Sequence, residues 1–186
     1  MNINHSAEHI IQQTRCWLKS IIIGLNFCPF ANQEFNKNSI RYRVSDAMDM
    51  QSNLHILAEE FQYLDEHADT ETSLLIFDQS VDEFEDFLAL IDYSNQLLEE
   101  LGYRSIYQLA HFHPHYHFAD VEAEDASNYT NCSPYPTLHI IREDSMQRAI
   151  EGHPDTAQIP DTNIKLARQL GADKIRDMLN QCKKAK

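Results

Sequence analysis

The segment Ala110-His111-Phe112-His113-Pro114-His115-Tyr116-His117-Phe118 places a histidine at every second position. In an extended chain alternate side chains share one side. Imidazoles two residues apart can then converge on a single ion. His111 and His113 are therefore candidate metal ligands, and a divalent transition metal is the cofactor class they admit. Pro114 has no N–H for a sheet ladder, so regular strand is expected to end near His113, with His115 and His117 unoriented. The competing reading is two surface histidines beside one hydrogen-bonded core histidine.

A second group lies downstream. His139 sits in the apolar run Thr137-Leu138-His139-Ile140-Ile141, directly before Arg142 and Glu143. An unperturbed imidazole titrates near neutrality and suits acid/base work. Glu143 is the candidate to orient it or to act as base, and Arg142 to hold a carboxylate or phosphate through its planar fork. Arg41, on the alternating run Ser39–Val44, is a second candidate anion holder. The polar run Asn128-Tyr129-Thr130-Asn131-Cys132-Ser133, closed by Pro134 and Pro136, supplies Asn128, Asn131 and Ser133 as candidate substrate contacts. Its ordinary reading is a rigid surface loop, because Asn bonds its own backbone and tolerates left-handed geometry. Cys28, in Asn26-Phe27-Cys28-Pro29-Phe30, is a candidate thiol, weighed against a buried inert cysteine.

Composition removes several classes. The chain of 186 residues contains only 4 glycines, widely spaced, so neither a P-loop nor a Rossmann phosphate cradle can be written. Formal net charge is -14, with 15 basic and 29 acidic residues, which argues against a nucleic-acid partner. The N-terminal segment has neither a basic start nor an apolar core, so no signal peptide and no membrane partner are expected. The 4 cysteines show no CxxC spacing, which fits a reducing cytoplasm and excludes a finger-like zinc site.

These residues need elements to position them. Helical spacing predicts a first helix from about Ser6 to Ile23 and a second from about Asp46 to Glu66. Ser39–Val44 alternates as a half-buried strand, with Ile40, Tyr42 and Val44 on one face and Arg41 and Arg43 on the other. Thr72–Phe77 reads as an interior strand. Ser80-Val81-Asp82-Glu83 is a capping box for a third helix ending at Gly102. Ser105–His113 and Thr137–Ile141 are the remaining strands. A helix capped at Asp144 stops at Gly152 before Pro154. Two more helices begin near Asp161 and Asp173, separated by Gly171. Each glycine thus stops a helix. The expectation is an α/β (α+β) fold. It has a single-layer, mixed, largely parallel sheet of about four strands, flanked by about five or six helices. Residues 1–186 form one globular domain with a basic C-terminal helix over about 173–184. The long loop after the third strand starts at a strand's carboxyl end, where ligands bind in open α/β sheets.

Several blocks together resemble a bacterial family catalogued as domain-of-unknown-function family 1415. They are Gly24-Leu25-Asn26-Phe27-Cys28-Pro29-Phe30-Ala31, Phe112-His113-Pro114, Asn128-Tyr129-Thr130-Asn131 with Ser133-Pro134-Tyr135-Pro136, and Leu138-His139 through Arg142-Glu143. The resemblance covers nearly the whole chain. It implies weight on Cys28, His113, Asn128, Asn131, Ser133, His139, Arg142 and Glu143, and little on His111, His115 and His117. It implies no reaction. Cys132 stands where the family pattern looks like Arg.

The leading expectation is a cytoplasmic enzyme acting on a small polar or anionic substrate. His113, His139 and Glu143 would be catalytic, with Arg41, Asn128, Asn131, Ser133 and Arg142 binding substrate. It requires His113 and His139 to share a pocket. The alternatives are a non-catalytic metal-binding or ligand-sensing protein using the His-rich 111–117 turn, and a thiol protein using Cys28.

Overall fold

Strands form where the sequence alternates or runs apolar: β1 (Ile40–Ser45), β2 (Thr72–Phe77), β3 (Tyr107–Phe112) and β4 (Thr137–Arg142). The structure, a computed structural model, describes residues 6–152 and 156–185. The four strands make one sheet of order β1-β2-β4-β3. β1 and β2 are parallel, whereas β4 is antiparallel to both its neighbours. The α+β class and the mixed four-stranded sheet are as expected, but the sheet is not largely parallel. The strand–helix rhythm reports the direction of β1, β2 and β3, which do run one way. It does not report adjacency. The second crossover leaves a one-strand gap, and β4 folds back into it against both neighbours. As a result the carboxyl end of β4 lies at the opposite end of the sheet from the carboxyl ends of the other strands.

Among the described residues there are seven α-helices. Helix α1 (Ala7–Trp17) is capped by Ser6, whose side chain accepts from the His9 N–H, and continues as a π-helical segment over Leu18–Ile23. Gly24 closes that wide turn, and a side chain there would collide with the Ser20 carbonyl oxygen. Helix α2 (Ala31–Lys37) is the addition to the expected five or six. It is 7 residues long and mostly polar, so it carries no readable period. Helix α3 (Met50–Glu66) starts later than expected, because Asp49 caps it by accepting from the Ser52 N–H. Helix α4 (Phe84–Glu100) follows Glu83 with no side-chain cap. The capping box is absent because the helix begins with Glu83, not Ser80, at its N-cap, and the Ser80 hydroxyl accepts from Asn53 Nδ2 at 2.9 Å. Helix α5 (Glu143–Glu151) begins directly on leaving β4, not at an Asp144 cap. It stops at Gly152, as expected, and Pro154 lies outside the described residues. Helices α6 (Ile159–Leu170) and α7 (Ala172–Cys182) are separated by Gly171, at φ 82°.

The faces of the sheet follow strand parity. Ile40, Tyr42, Val44, Leu74, Ile76 and Phe112 pack with α1 and the π segment. Leu75, Phe77, Leu138, Ile140 and Tyr107 pack with α3 and α4 on the other face. Among the described residues no helix is long and apolar enough to cross a membrane.

Candidate functional site

On the α1 face the sheet leaves a hollow. His139 on β4 lies directly between Leu74 on β2 and Ala110 on β3. Ala110 carries only a methyl and the nearby Thr72 is short, so the imidazole faces open space. Trp17, Leu18 and Ile22 form one wall, Cys28 and Phe30 a second, and Met146 of α5 a third. The cavity encloses about 640 Å³. Glu34, Lys37, Glu71 and Arg148 are the charged residues among its described lining. Glu34 and Lys37 pair at 3.1 Å, and Arg148 donates to the Ser145 hydroxyl at 2.8 Å.

The protonation pattern of His139 follows from one hydroxyl. Thr72 Oγ1 lies 2.5 Å from the Ile140 carbonyl oxygen and 2.7 Å from His139 Nε2. A hydroxyl has one proton. It must lie toward Ile140, since two bare acceptors at that distance would repel. Nε2 of His139 therefore carries the ring proton and donates to Thr72. Nδ1 is left as an acceptor, with no hydrogen-bond partner among the described residues. Burial pushes the imidazole down to about 4, so it is neutral at physiological pH.

Cys28 lines the same cavity. Burial pushes its thiol up, and hydrogen bonds from the Phe30 and Ala31 backbone only partly offset this. A nucleophilic thiolate needs the opposite shift. At rest Cys28 is a neutral thiol.

The structure does not assemble the other expected residues around His139. His113 continues the β3 parity to the opposite face, fully buried, its ring centroid 5.3 Å from Phe84 and 5.1 Å from Phe87. His113 Nδ1 accepts from the His115 N–H at 3.0 Å, so Nε2 carries the proton and donates to the Val81 carbonyl at 3.0 Å. Both ring nitrogens are engaged, which removes His113 as a metal ligand and as a partner of His139. His111 stacks on Tyr116 with ring centroids 5.6 Å apart. Among the described residues no three His, Cys, Asp or Glu side chains are grouped to hold an ion.

Glu143 starts α5 and does not line the cavity. Arg142 donates to the carbonyls of Leu64, His67 and Thr70 around the end of α3, where the helix dipole favours a cation. Arg41 lies on the α3 face and grips Glu60 through Nε at 2.9 and 3.1 Å and Nη2 at 3.1 Å. These guanidinium groups are committed within the fold and are not free anion holders. Asn128 Oδ1 accepts from the Phe118 N–H while its amide donates to Glu122 and Ala123 carbonyls. Asn131 donates to the His111 carbonyl, and Ser133 donates to the Tyr135 carbonyl. The Asn128–Ser133 run thus spends its polar groups on neighbouring segments of the fold, and with Asn128, Cys132 and Ser133 buried it is an interior loop, not the surface loop its composition suggests.

Of the expected site residues, His139 and Cys28 share the cavity. Sequence reasoning missed Thr72, which fixes the His139 tautomer, and Ala110, which opens the space beside it. A short side chain opposite a strand histidine is a usable signal once strand register is known. Sequence alone does not supply that register.

The family model described as "Protein of unknown function (DUF1415)" matches residues 9–177, and the chain belongs to that family. Neither a curated protein nor a solved structure matches the chain.

Proposed function

We propose that this family member binds a small molecule in the cavity above β2, β4 and β3, with His139 as the polar contact at its floor. The observation that carries this is an unpaired imidazole nitrogen facing about 640 Å³ of mostly apolar space. Ligand sites are typically cavities of roughly 300–1,000 Å³, lined by apolar groups with a few placed polar ones. A binding or ligand-sensing role fits better than general-base catalysis, because an imidazole pushed down to about 4 is a weak base. The four free thiols accord with a reducing compartment such as the cytoplasm.

Trp17 is the only tryptophan in the chain and lines the cavity, so it serves as a built-in reporter. Adamantan-1-ol, a rigid probe transparent at the tryptophan wavelengths, is expected to shift Trp17 emission saturably. Ala110→Leu, which fills the space beside His139, is expected to abolish that shift while leaving the circular dichroism unchanged. An absence of saturable binding to the wild-type chain, or equal binding to Ala110→Leu, would remove this reading.

A further inference from the structure

We infer that the ligand of this cavity is an apolar molecule that presents a neutral hydroxyl or N–H donor to His139 Nδ1. This rests on the cavity being the binding site and deepens that reading. It departs from the small polar or anionic substrate expected from the sequence.

The Ile140 carbonyl accepts the Thr72 hydroxyl proton, Thr72 accepts from His139 Nε2–H, and Nδ1 is left with only a lone pair. A ligand atom that meets Nδ1 must therefore supply a hydrogen. An ether or carbonyl oxygen would face lone pair to lone pair and would leave Nδ1 desolvated and unpaired. A carboxylate fares worse, since it adds the burial of a charge with no counter-charge at the floor. Cys28 is a neutral thiol, and the other uncharged polar residues of the lining, Gln33, Thr72 and Ser145, bring no counter-charge either. The described charged residues of the lining are two acids and two bases, so the rim offers no net attraction to an anion. Trp17, Leu18, Ile22, Leu74, Phe112 and Ile141 supply apolar surface around the donor position.

Three probes of one shape separate the possibilities: adamantan-1-ol, 1-methoxyadamantane and adamantane-1-carboxylate, each titrated against Trp17 emission at neutral pH. The alcohol is expected to bind about tenfold more tightly than the ether, the scale of one buried acceptor left unmade. The carboxylate is expected to bind most weakly. Long-range proton–nitrogen NMR on the free protein should show His139 with a protonated Nε2 and a bare Nδ1. Thr72→Val removes the acceptor that holds the proton on Nε2, so the alcohol-to-ether ratio should fall toward one. Thr72→Ser should retain it. Ether binding as tight as alcohol in the wild-type chain, or a proton found on Nδ1, would overturn the inference while leaving the cavity as a binding site. Failure of all three probes would instead overturn the binding-site reading, and this inference with it.

Discussion

Acid should weaken the fold through His139 by an amount that the cavity geometry sets. Burial pushes its imidazole down to about 4, against about 6.5 in an unfolded chain. A base with a lowered folded-state value binds fewer protons when native. Its stabilising effect is complete above about pH 6.5 and is lost as the pH falls toward 4. Linkage between those two values gives a loss of ~2 kcal/mol at pH 5 and ~3 kcal/mol at pH 4, at 1.36 kcal/mol per unit. The perturbation is His139→Gln, which is neutral at every pH and retains an amide N–H for Thr72. The assay is urea unfolding of both chains at intervals from about pH 7.5 to about pH 4.5. Whatever gap separates them at the upper end, wild type should lose ~2 kcal/mol more than the variant on reaching pH 5. That equals about 4–8 °C in Tm for a chain of this size. His111 and His113, also lowered by burial, contribute equally to both chains and cancel. Parallel pH profiles would refute a neutral, desolvated His139 and with it the donor-selective cavity.

Two further outcomes test the residues that the fold engages elsewhere. Arg41→Met leaves Glu60, with a side chain only 2% exposed, without its cation. Thermal unfolding should show a loss of ~3–5 kcal/mol that an Arg41→Met, Glu60→Leu double variant largely recovers, whereas an unchanged Tm would return Arg41 to the list of free anion holders. Burial pushes Cys132 and Cys182 up to about 12, the latter also through Cys16, and raises Cys28. Iodoacetamide should therefore label these three slowly in the native protein and fully once it is unfolded, and rapid selective labelling of Cys28 would revive the thiol reading.

Local pattern was legible and relations between strands were not. The alternation in Ile40–Val44 placed Arg41 on its face correctly, and the parity of Leu138–Ile141 separated His139 from its apolar neighbours as observed. Gly24, Gly102, Gly152 and Gly171 all stand where helices end, although only Gly102 and Gly171 adopt positive φ. What failed was pairing. Strand parity says which residues of one strand share a face, but not which face of a neighbour they join. That depends on register and on the insertion of β4 between β2 and β3. His113 and His139 are near in the expected order of elements and on opposite faces in the fold for that reason. Arg142 and Glu143 likewise sit at a strand's carboxyl end, but it is the reversed strand, so they lie far from the end where β3 delivers His113.

The blocks that carry the family resemblance are dense in chemically capable side chains, yet most of them act through position. His113 pins the exit of β3 to the Val81 carbonyl, and its own backbone pairs with Asn131 and Ser133. Asp125, held well below the usual carboxylate range by Arg168, anchors the same loop to α6. The loop in turn holds α1. The Trp17 indole N–H donates to the Cys132 carbonyl at 2.9 Å, and the Tyr135 hydroxyl donates to Gln13. Trp17 also meets Phe112 edge-on with ring centroids 5.1 Å apart. That contact sets the wall facing His139. A substitution in the Asn128–Pro136 loop should therefore alter ligand affinity by moving Trp17, without touching the ligand. A polar block can thus mark what shapes a site rather than what reacts in it: of the site residues expected from the sequence, His139 and Cys28 line the cavity, and the rest hold the fold around it.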